Sequence, residues 1–252
     1  MTAQILHSSA LMRRAVSTEA DDPSLIPHKP KQTISFCTQC GSRMDLHFVG
    51  SEHHWRHMCG SCGHIHYENP RSVVGCIVEH HGQILLCKRG IEPQQGLWTL
   101  PAGYMELHES SAEGAARETL EEAGARVDIV APFAHFDIPR ISQSYIFFRA
   151  KLRQPFTFAA VAPESTDVRL FSLKDIPWRK LAFSAVTIAL KLYVEDLERG
   201  DWRFHHGVVK KKEGAGPNEP GTFALKGYIG LQLDKAHSPV TGSPEREEEK
   251  AP

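Results

Sequence analysis

At 252 residues, 41% hydrophobic and 23% charged, the chain is long enough to bury one good core and a small accessory unit. A formal charge of -1 and a pI near 6.9 supply no global field for gathering nucleic acid or an anionic membrane, so recognition of a polyanion has to be local. No apolar run approaches the roughly 20 residues of a membrane-spanning helix, and no membrane partner is expected.

The first 18 residues, "MTAQILHSSALMRRAVST", hold two arginines and no acid; acids begin at Glu19. That composition is the one of an organelle transit peptide, with an ordinary disordered tail as the alternative. Residues 23–33 carry three prolines and no periodicity and read as linker. Next come Cys37-x-x-Cys40 and Cys59-x-x-Cys62, separated by 18 residues and each followed by a glycine, Gly41 and Gly63. Two such knuckles at this distance predict a zinc ribbon over residues 34–68, with the four thiolates as ligands. Because four cysteines complete a tetrahedron, most of His47, His53, His54, His57, His64 and His66 are expected to be solvated ribbon residues and not ligands. Cys76 in "VVGCIV" and Cys87 in "ILLCKR" read as small core residues.

From Arg71 onward the pattern becomes that of a mixed domain, over residues 70–198. "SVVGCIVEH" and "QILLCKRG" flank a "HHGQ" turn as a strand hairpin, a helix is predicted from about 111 to 123, and "ARVDIVAPFAHFDI" and "SQSYIFFRAKL" read as strands. Residues 181–198 place apolar side chains at helical spacing and predict a second packing helix. Strands around few helices imply a layered α/β (α+β) fold. Residues 199–230 are expected to pack on the domain as an extension, and the polar segment 231–252 to be disordered.

The stretch from Gly103 to Gly124 gathers six glutamates and one arginine. Ser110 with Glu113 forms a capping box, and Gly124 stands at the left-handed C-terminal cap. At about 100° per residue, Glu118, Glu121 and Glu122 fall within an arc of roughly 100° on one helix face, near the negative end of the helix dipole. Each penalty is small, about 0.2–1 kcal/mol, but all have the same sign. Two compensations are open: a solvated acidic face with Glu113 and Arg117 paired at i, i+4, or a hard divalent cation held by the carboxylates.

The spacing favours the cation. Gly103, five residues, Glu109, seven residues, then Arg117-Glu118-Thr119-Leu120-Glu121-Glu122-Ala123-Gly124-Ala125 resembles the Nudix box, G-x5-E-x7-R-E-U-x-E-E-x-G-U, with every charged and glycine position met. The resemblance implies a Nudix sandwich behind the ribbon. It also implies Glu118, Glu121 and Glu122 as ligands of Mg²⁺ or Mn²⁺, with the Gly103 carbonyl as a further one. Glu109 and Arg117 become an internal pair that holds loop against helix. The implied reaction is hydrolysis of a diphosphate linkage, with Glu118 the first candidate for general base and Glu164 or Asp167, in "PESTDVRLF", as a base or further metal ligand.

A ribbon directly before a Nudix domain is the layout of NADH pyrophosphatases, but their S-Q-P-W-P-F-P-x-S signature is absent where this chain reads "SQSYIFFRA". Together "FCTQCG", "NPRSVVGCIVE", "LLCKR", "GLWTLPAGYME", "DIP", "LAFSAV" and "FHHG" are similar to plant chloroplast Nudix hydrolases that act on FAD. That similarity implies cleavage of FAD to FMN and AMP, ADP-ribose as a second substrate, a plastid location with mitochondrial or cytosolic addresses as alternatives, and a homodimer. Trp98, Phe136, Tyr145 and Phe147 are candidates to stack on a ring system, with core packing as the competing reading, and Gln143 and Ser144 are candidates to hydrogen-bond substrate. The alternatives are an NADH or other nucleoside-diphosphate pyrophosphatase, an RNA-binding or decapping Nudix protein, and a catalytically dead nucleotide sensor. Nucleic acid is not expected as a partner, since residues 34–68 offer only Arg43 and Arg56 besides histidines.

Overall fold

The computed structural model describes residues 34–211 and 222–233. The expected transit peptide and linker, and almost all of the polar C-terminal segment, lie outside them. Contacts divide the chain into two units, meeting at Asn69 and Pro70.

In the first unit each Cys-x-x-Cys-Gly stretch closes the same turn. Gly41 N–H donates to the Cys37 carbonyl and Gly63 N–H to the Cys59 carbonyl, both at 2.9 Å. Both glycines sit at positive φ, 72° and 75°, where a side chain would be strained. The knuckles flank a small antiparallel sheet of β1 (Met44–Val49), β2 (His54–Cys59) and β3 (Ile65–His66). Among the described residues its buried apolar cluster is Cys37, Met44 and Cys59, with Ile34 against them, too few to hold a fold without a staple. The four thiols supply it. Cys37 and Cys62 Sγ lie 3.6 Å apart, Cys40 and Cys59 Sγ 3.5 Å, and all four within 4.8 Å of one another. A tetrahedron with Zn–S bonds of about 2.3 Å has edges of about 3.8 Å, so the set fits structural zinc. Hydrogen bonds from Ser42 draw the Cys40 thiol down to about 6, towards the thiolate that zinc requires. His57 is the buried member of the histidine group named above, and its Nε2 accepts from the Ile34 N–H at 3.4 Å.

The second unit opens with β4 (Arg71–His80) and β5 (Gln83–Arg89), joined by His81 and Gly82, both at positive φ as a two-residue hairpin turn requires. These strands pair at only two positions, Glu79 with Ile84 and His80 with Gln83, and then part. Two short strands fill the gap: β6 (Trp98–Thr99) lies against β5 and β7 (Ala102–Tyr104) against β4. Further out stand β8 (Val127–Ile138), β9 (Gln143–Leu152), β10 (Ser165–Ser172), β11 (Arg203–Lys211) and β12 (Phe223–Gln232), in the order β10-β5-β4-β9-β8-β11-β12. The β4/β9 and β8/β11 pairs are parallel, the others antiparallel. The expected extension after residue 198 thus enters the sheet itself, as two strands.

Helices α1 (Ser111–Ala123) and α2 (Ser184–Arg199) cover opposite faces of the sheet. Strand alternation makes this explicit: Val73 and Ile77 of β4 pack with Ala185, Val186, Ala189, Leu190 and Tyr193 of α2, while Val74, Cys76 and Val78 pack with Ala115 and Ala123 of α1. Cys76 and Cys87 are fully buried, and burial pushes both thiols up, Cys76 to about 12. Both are core residues, as expected.

Candidate active site

Helix α1 is fixed at both ends. The Ser110 hydroxyl accepts from the Glu113 N–H at 3.3 Å, the Glu113 carboxylate accepts from the Ser110 N–H at 2.8 Å, and Gly124, at φ 58°, donates to the Leu120 carbonyl. Two carbonyls of the last turn find partners outside the helix, Ala123 with the Ala159 N–H and Glu122 with the Val161 N–H. Thr119, the loose aliphatic position of the box, turns its hydroxyl back onto the Ala115 carbonyl at 2.8 Å and so satisfies itself inside the core.

So anchored, the helix turns Glu118 and Glu122 towards β7, each only 7% exposed. Glu122 accepts from the Ala102 N–H at 3.1 Å. The Glu118 carboxylate lies against Gly103 so closely that a Cβ there would stand 2.3–2.4 Å from its atoms, which is the physical reason for glycine at the head of the box. Glu121 is half exposed. Arg117 ties the group together. Its guanidinium donates to both oxygens of Glu109 at 2.9 and 2.8 Å, to Glu118 and Glu121 at 2.8 Å each, and to the Tyr104 carbonyl at 3.0 Å. The alternative i, i+4 pairing of Arg117 with Glu113 is not made, because the capping box holds that carboxylate.

Glu109, Glu118 and Glu122 respond differently. The Arg117 guanidinium, helped by the Glu106 N–H, holds Glu109 down at about 2. Burial raises Glu118 despite Arg117 beside it. Burial pushes Glu122 up to about 8, with the charges of Glu118 and Glu164 adding to the effect. Two buried carboxylates, Glu118 with Arg117 beside it and Glu122 on the Ala102 N–H, therefore form a pocket in which negative charge is costly until a cation enters, and oxygen donors suit a hard divalent ion.

Of the later acids, Glu164 is exposed but close enough for its charge to be felt at both Glu118 and Glu122. Asp167 is instead engaged by Arg169 at 2.6 Å. The aromatic candidates separate as well. Phe136 and Phe147 are fully buried, and Trp98 is 8% exposed with Phe171 packed against it at 4.8 Å between centroids, so core packing accounts for these three and they offer no free ring face. Gln143 donates to the Tyr104 hydroxyl at 2.8 Å, beside the box loop, and Ser144 bonds Asp137 on the sheet.

Tyr145 lines a cavity of about 690 Å³ whose walls include Leu97, Trp178 and Phe183. Arg89 links this cavity to the carboxylates: its guanidinium lies 5.0 Å from the centre of the Phe183 ring, donates to the Pro93 carbonyl at 2.8 Å, and its charge lowers both Glu122 and Tyr145. Sequence reasoning gave no role to Arg89, Trp178 or Phe183. The signal was in hand, since "LLCKR" and "LAFSAV" were among the matching stretches, but the meeting of strand end and helix start is a tertiary fact.

The NUDIX domain model matches residues 68–190, and the Nudix N-terminal zinc-ribbon model matches residues 35–68. The crystal structure of a NUDIX hydrolase from Nitrosomonas europaea is 46% identical, with a TM-score of 0.68, and the match covers 71% of this chain and 100% of that one. Among curated proteins, the NAD-capped RNA hydrolase NudC of Vibrio parahaemolyticus is 28% identical over 151 residues, 58% of this chain and 54% of its own length. The Vibrio cholerae protein of the same name is 33% identical over 102 residues, 36% of its length. This chain thus spans about half of the first relative and about a third of the second. With its acidic helix face, its paired knuckles and a full-length match to a solved Nudix enzyme, the chain belongs to the Nudix hydrolase family and carries a Nudix N-terminal zinc ribbon.

Proposed function

We propose that the protein hydrolyses the diphosphate linkage of FAD, releasing FMN and AMP, with ADP-ribose as a second substrate. The observation that carries the diphosphate chemistry is the burial of Glu118 and Glu122 against β7, Glu118 beside the Arg117 guanidinium and Glu122 on the Ala102 N–H. Glu118, Glu121 and Glu122, with the Gly103 carbonyl and Glu164, are the residues to hold Mg²⁺ or Mn²⁺, which when bound neutralises phosphate oxygens and acidifies a water. Around them the protein's own groups do the positioning. Glu109 fixes Arg117, Arg117 fixes the Glu118 and Glu121 carboxylates, and the Ala102 N–H fixes Glu122. Glu118, buried against Gly103 and raised above its ordinary value by that burial, is the first candidate for the general base that takes the proton of the attacking water. Water adds to one phosphorus, the bridging P–O bond breaks, and two monophosphates leave.

The cavity beside Tyr145, Trp178 and Phe183 supports a substrate with a planar ring system, and its volume falls in the usual range for small-molecule sites. A second reading, an NAD-linked substrate, is favoured by the relatives named as NAD-capped RNA hydrolases. The deciding experiment is a panel of FAD, NADH, ADP-ribose, CoA and capped RNA at equal concentration with Mg²⁺. FMN and AMP should appear from FAD, and disappear in Glu121→Gln or Glu122→Gln. Faster turnover of NADH or of capped RNA would replace FAD with the second reading.

A further inference from the structure

The wall of the cavity beside Tyr145 is divided by chemistry. One part is apolar, with Tyr145, Trp178, Leu181, Phe183 and Val209. The other is basic: Arg140, Arg179, Lys191, Lys210 and Lys211 line it, and no aspartate or glutamate does. Arg140 comes from the turn after β8, Arg179 from the turn before α2, Lys191 from α2 and the two lysines from the end of β11, so the fold gathers cations that the sequence keeps apart. A chain with 29 basic and 30 acidic residues has no overall excess that would put this charge on one wall. The acids nearest in sequence to Arg179 and Lys191 are engaged elsewhere. Asp175 accepts from the Ser172 hydroxyl at 2.5 Å, and Glu195 is held by Arg199 at 2.7 Å and Arg203 at 3.3 Å. Among the described residues Arg179, Lys191, Lys210 and Lys211 make no ion pair. A cleft lined by one sign of charge repels itself and focuses its field on a ligand of the opposite sign.

In FAD and in ADP-ribose every ionised oxygen belongs to the diphosphate, the group assigned to the glutamate face, so neither molecule gives the basic wall a partner. We propose that the cavity also recognises a phosphomonoester on the ribose of a dinucleotide, and that substrates carrying it are cleaved in preference to their counterparts without it. This rests on the diphosphate hydrolysis proposed above and names the substrate class that the cavity selects. A phosphomonoester brings about −1.5 to −2 charge at pH 7 and three acceptor oxygens. Lysine and arginine donors meet it in charge-assisted hydrogen bonds about twice as strong as neutral ones, and the Arg179 fork suits two oxygens at once. Lys211 shares a strand face with Val209, which packs with the α2 core, so the half-buried Lys211 is turned towards the helix that carries Lys191. The apolar part of the wall takes the base and the basic part the added phosphate, a few charged groups in an otherwise apolar pocket being the usual make-up of a specific small-molecule site. The reaction is unchanged. Water breaks the bridging P–O bond and the phosphomonoester leaves intact: NADPH yields reduced nicotinamide mononucleotide and adenosine 2′,5′-bisphosphate, and CoA yields 4′-phosphopantetheine and adenosine 3′,5′-bisphosphate.

The test measures kcat/KM of the full-length protein, with ribbon zinc in place and Mg²⁺ present, on two pairs that differ by one phosphate: NADPH against NADH, and CoA against 3′-dephospho-CoA, with FAD run in parallel. In at least one pair the phosphorylated member should be cleaved about tenfold or more faster, and that ratio should shrink as salt rises from about 50 to about 200 mM. Preference in the first pair alone assigns the wall to a ribose 2′-phosphate, and in the second alone to a 3′-phosphate. Lys191→Gln and Lys211→Gln should each lower the ratio several-fold, mainly through KM of the phosphorylated member, and Lys191→Arg should retain most of it. A ratio at or below one in both pairs, no cleavage of any of the four, or a ratio that neither glutamine variant changes overturns the proposal and leaves the cations as a solvated rim. The FAD arm reads the other reading separately: FAD left uncut while a phosphorylated dinucleotide is cleaved removes FAD as substrate and keeps this proposal, and FAD cleaved with both ratios at one does the reverse.

Discussion

Replacing Glu122 by glutamine should make the protein more stable while abolishing hydrolysis. Burial raises this carboxyl from 4.5 to about 8, so the folded state holds a proton that the unfolded chain has released. Stability contributed by that proton is complete below pH 4.5 and is lost as pH rises to about 8. At pH 7 the interval spans about 2.5 units, and at 1.36 kcal/mol per unit the folded state has lost about 3 kcal/mol. Because the side chain is only 7% exposed, solvent screening removes little of this. Glutamine keeps an acceptor for the Ala102 N–H and carries no charge, though its amide needs a partner of its own, so a net gain of about 1–3 kcal/mol is expected. At 2–4 °C per kcal/mol for a domain of this size, melting should rise several degrees. The assay is thermal unfolding at pH 5 and pH 8, with ribbon zinc retained and Mg²⁺ omitted. Parent and variant should converge at pH 5 and diverge at pH 8, and added Mg²⁺ should stabilise the parent alone. A variant that melts at or below the parent at pH 8 without Mg²⁺ would refute the assignment of Glu122 as a strained, buried carboxyl.

Gly103→Ala should push the Glu118 carboxylate off its position and cost about 10²-fold in kcat, the usual penalty for displacement by an ångström, with little change in melting because a flexible side-chain end absorbs the clash. Arg117→Ala should destabilise by roughly 2–4 kcal/mol in urea unfolding, since it leaves Glu118 buried without its counterion, and Arg117→Lys should recover only part because it cannot serve Glu109 bidentately. Cys59→Ser should release the ribbon zinc, detected by metal analysis, before it lowers Mg²⁺-dependent phosphate chemistry. Burial also holds the His205 imidazole below its ordinary 6.5, with Asp196 pulling the other way. The unfolded chain then binds the extra proton first, so stability should fall below pH 6.5 by up to about 1.4 kcal/mol per unit, and His205→Gln should flatten that limb of a urea-unfolding pH series.

The parts of this molecule that read directly from sequence are those whose physics is local. Caps, helix phase and carboxylate spacing lie within one stretch, and α1 begins and ends where Ser110 and Gly124 place it. The knuckles are likewise complete in five residues each. β11 and β12 escaped because "RFHHGVVKK" mixes basic, imidazole and glycine residues with apolar ones, and its strand character comes from β8 beside it. β10 escaped because its burial alternates poorly, as befits an edge strand. The box spacing pairs Arg117 with Glu109, and Arg117 meets both oxygens of that carboxylate; the i, i+4 alternative at Glu113 is closed because the cap has already claimed it.

The least legible feature is also the one that makes the acidic helix into a site. Nothing in "GLWTLPAGY" states that β4 and β5 separate after two pairs, yet that separation admits β6 and β7 and brings the Ala102 N–H and the Gly103 backbone against α1. Without the split, α1 would cover a continuous sheet, and Glu118 and Glu122 would be buried against apolar strand residues with no backbone donor within reach. Such a pair would have to be protonated or the helix would lift away. The opening at β4 and β5 is therefore what lets the same three glutamates stay charged once a cation arrives, and Arg89, at the β5 end of that opening, bears on both neighbourhoods, its charge felt at Glu122 and its guanidinium 5.0 Å from the centre of the Phe183 ring that lines the aromatic cavity.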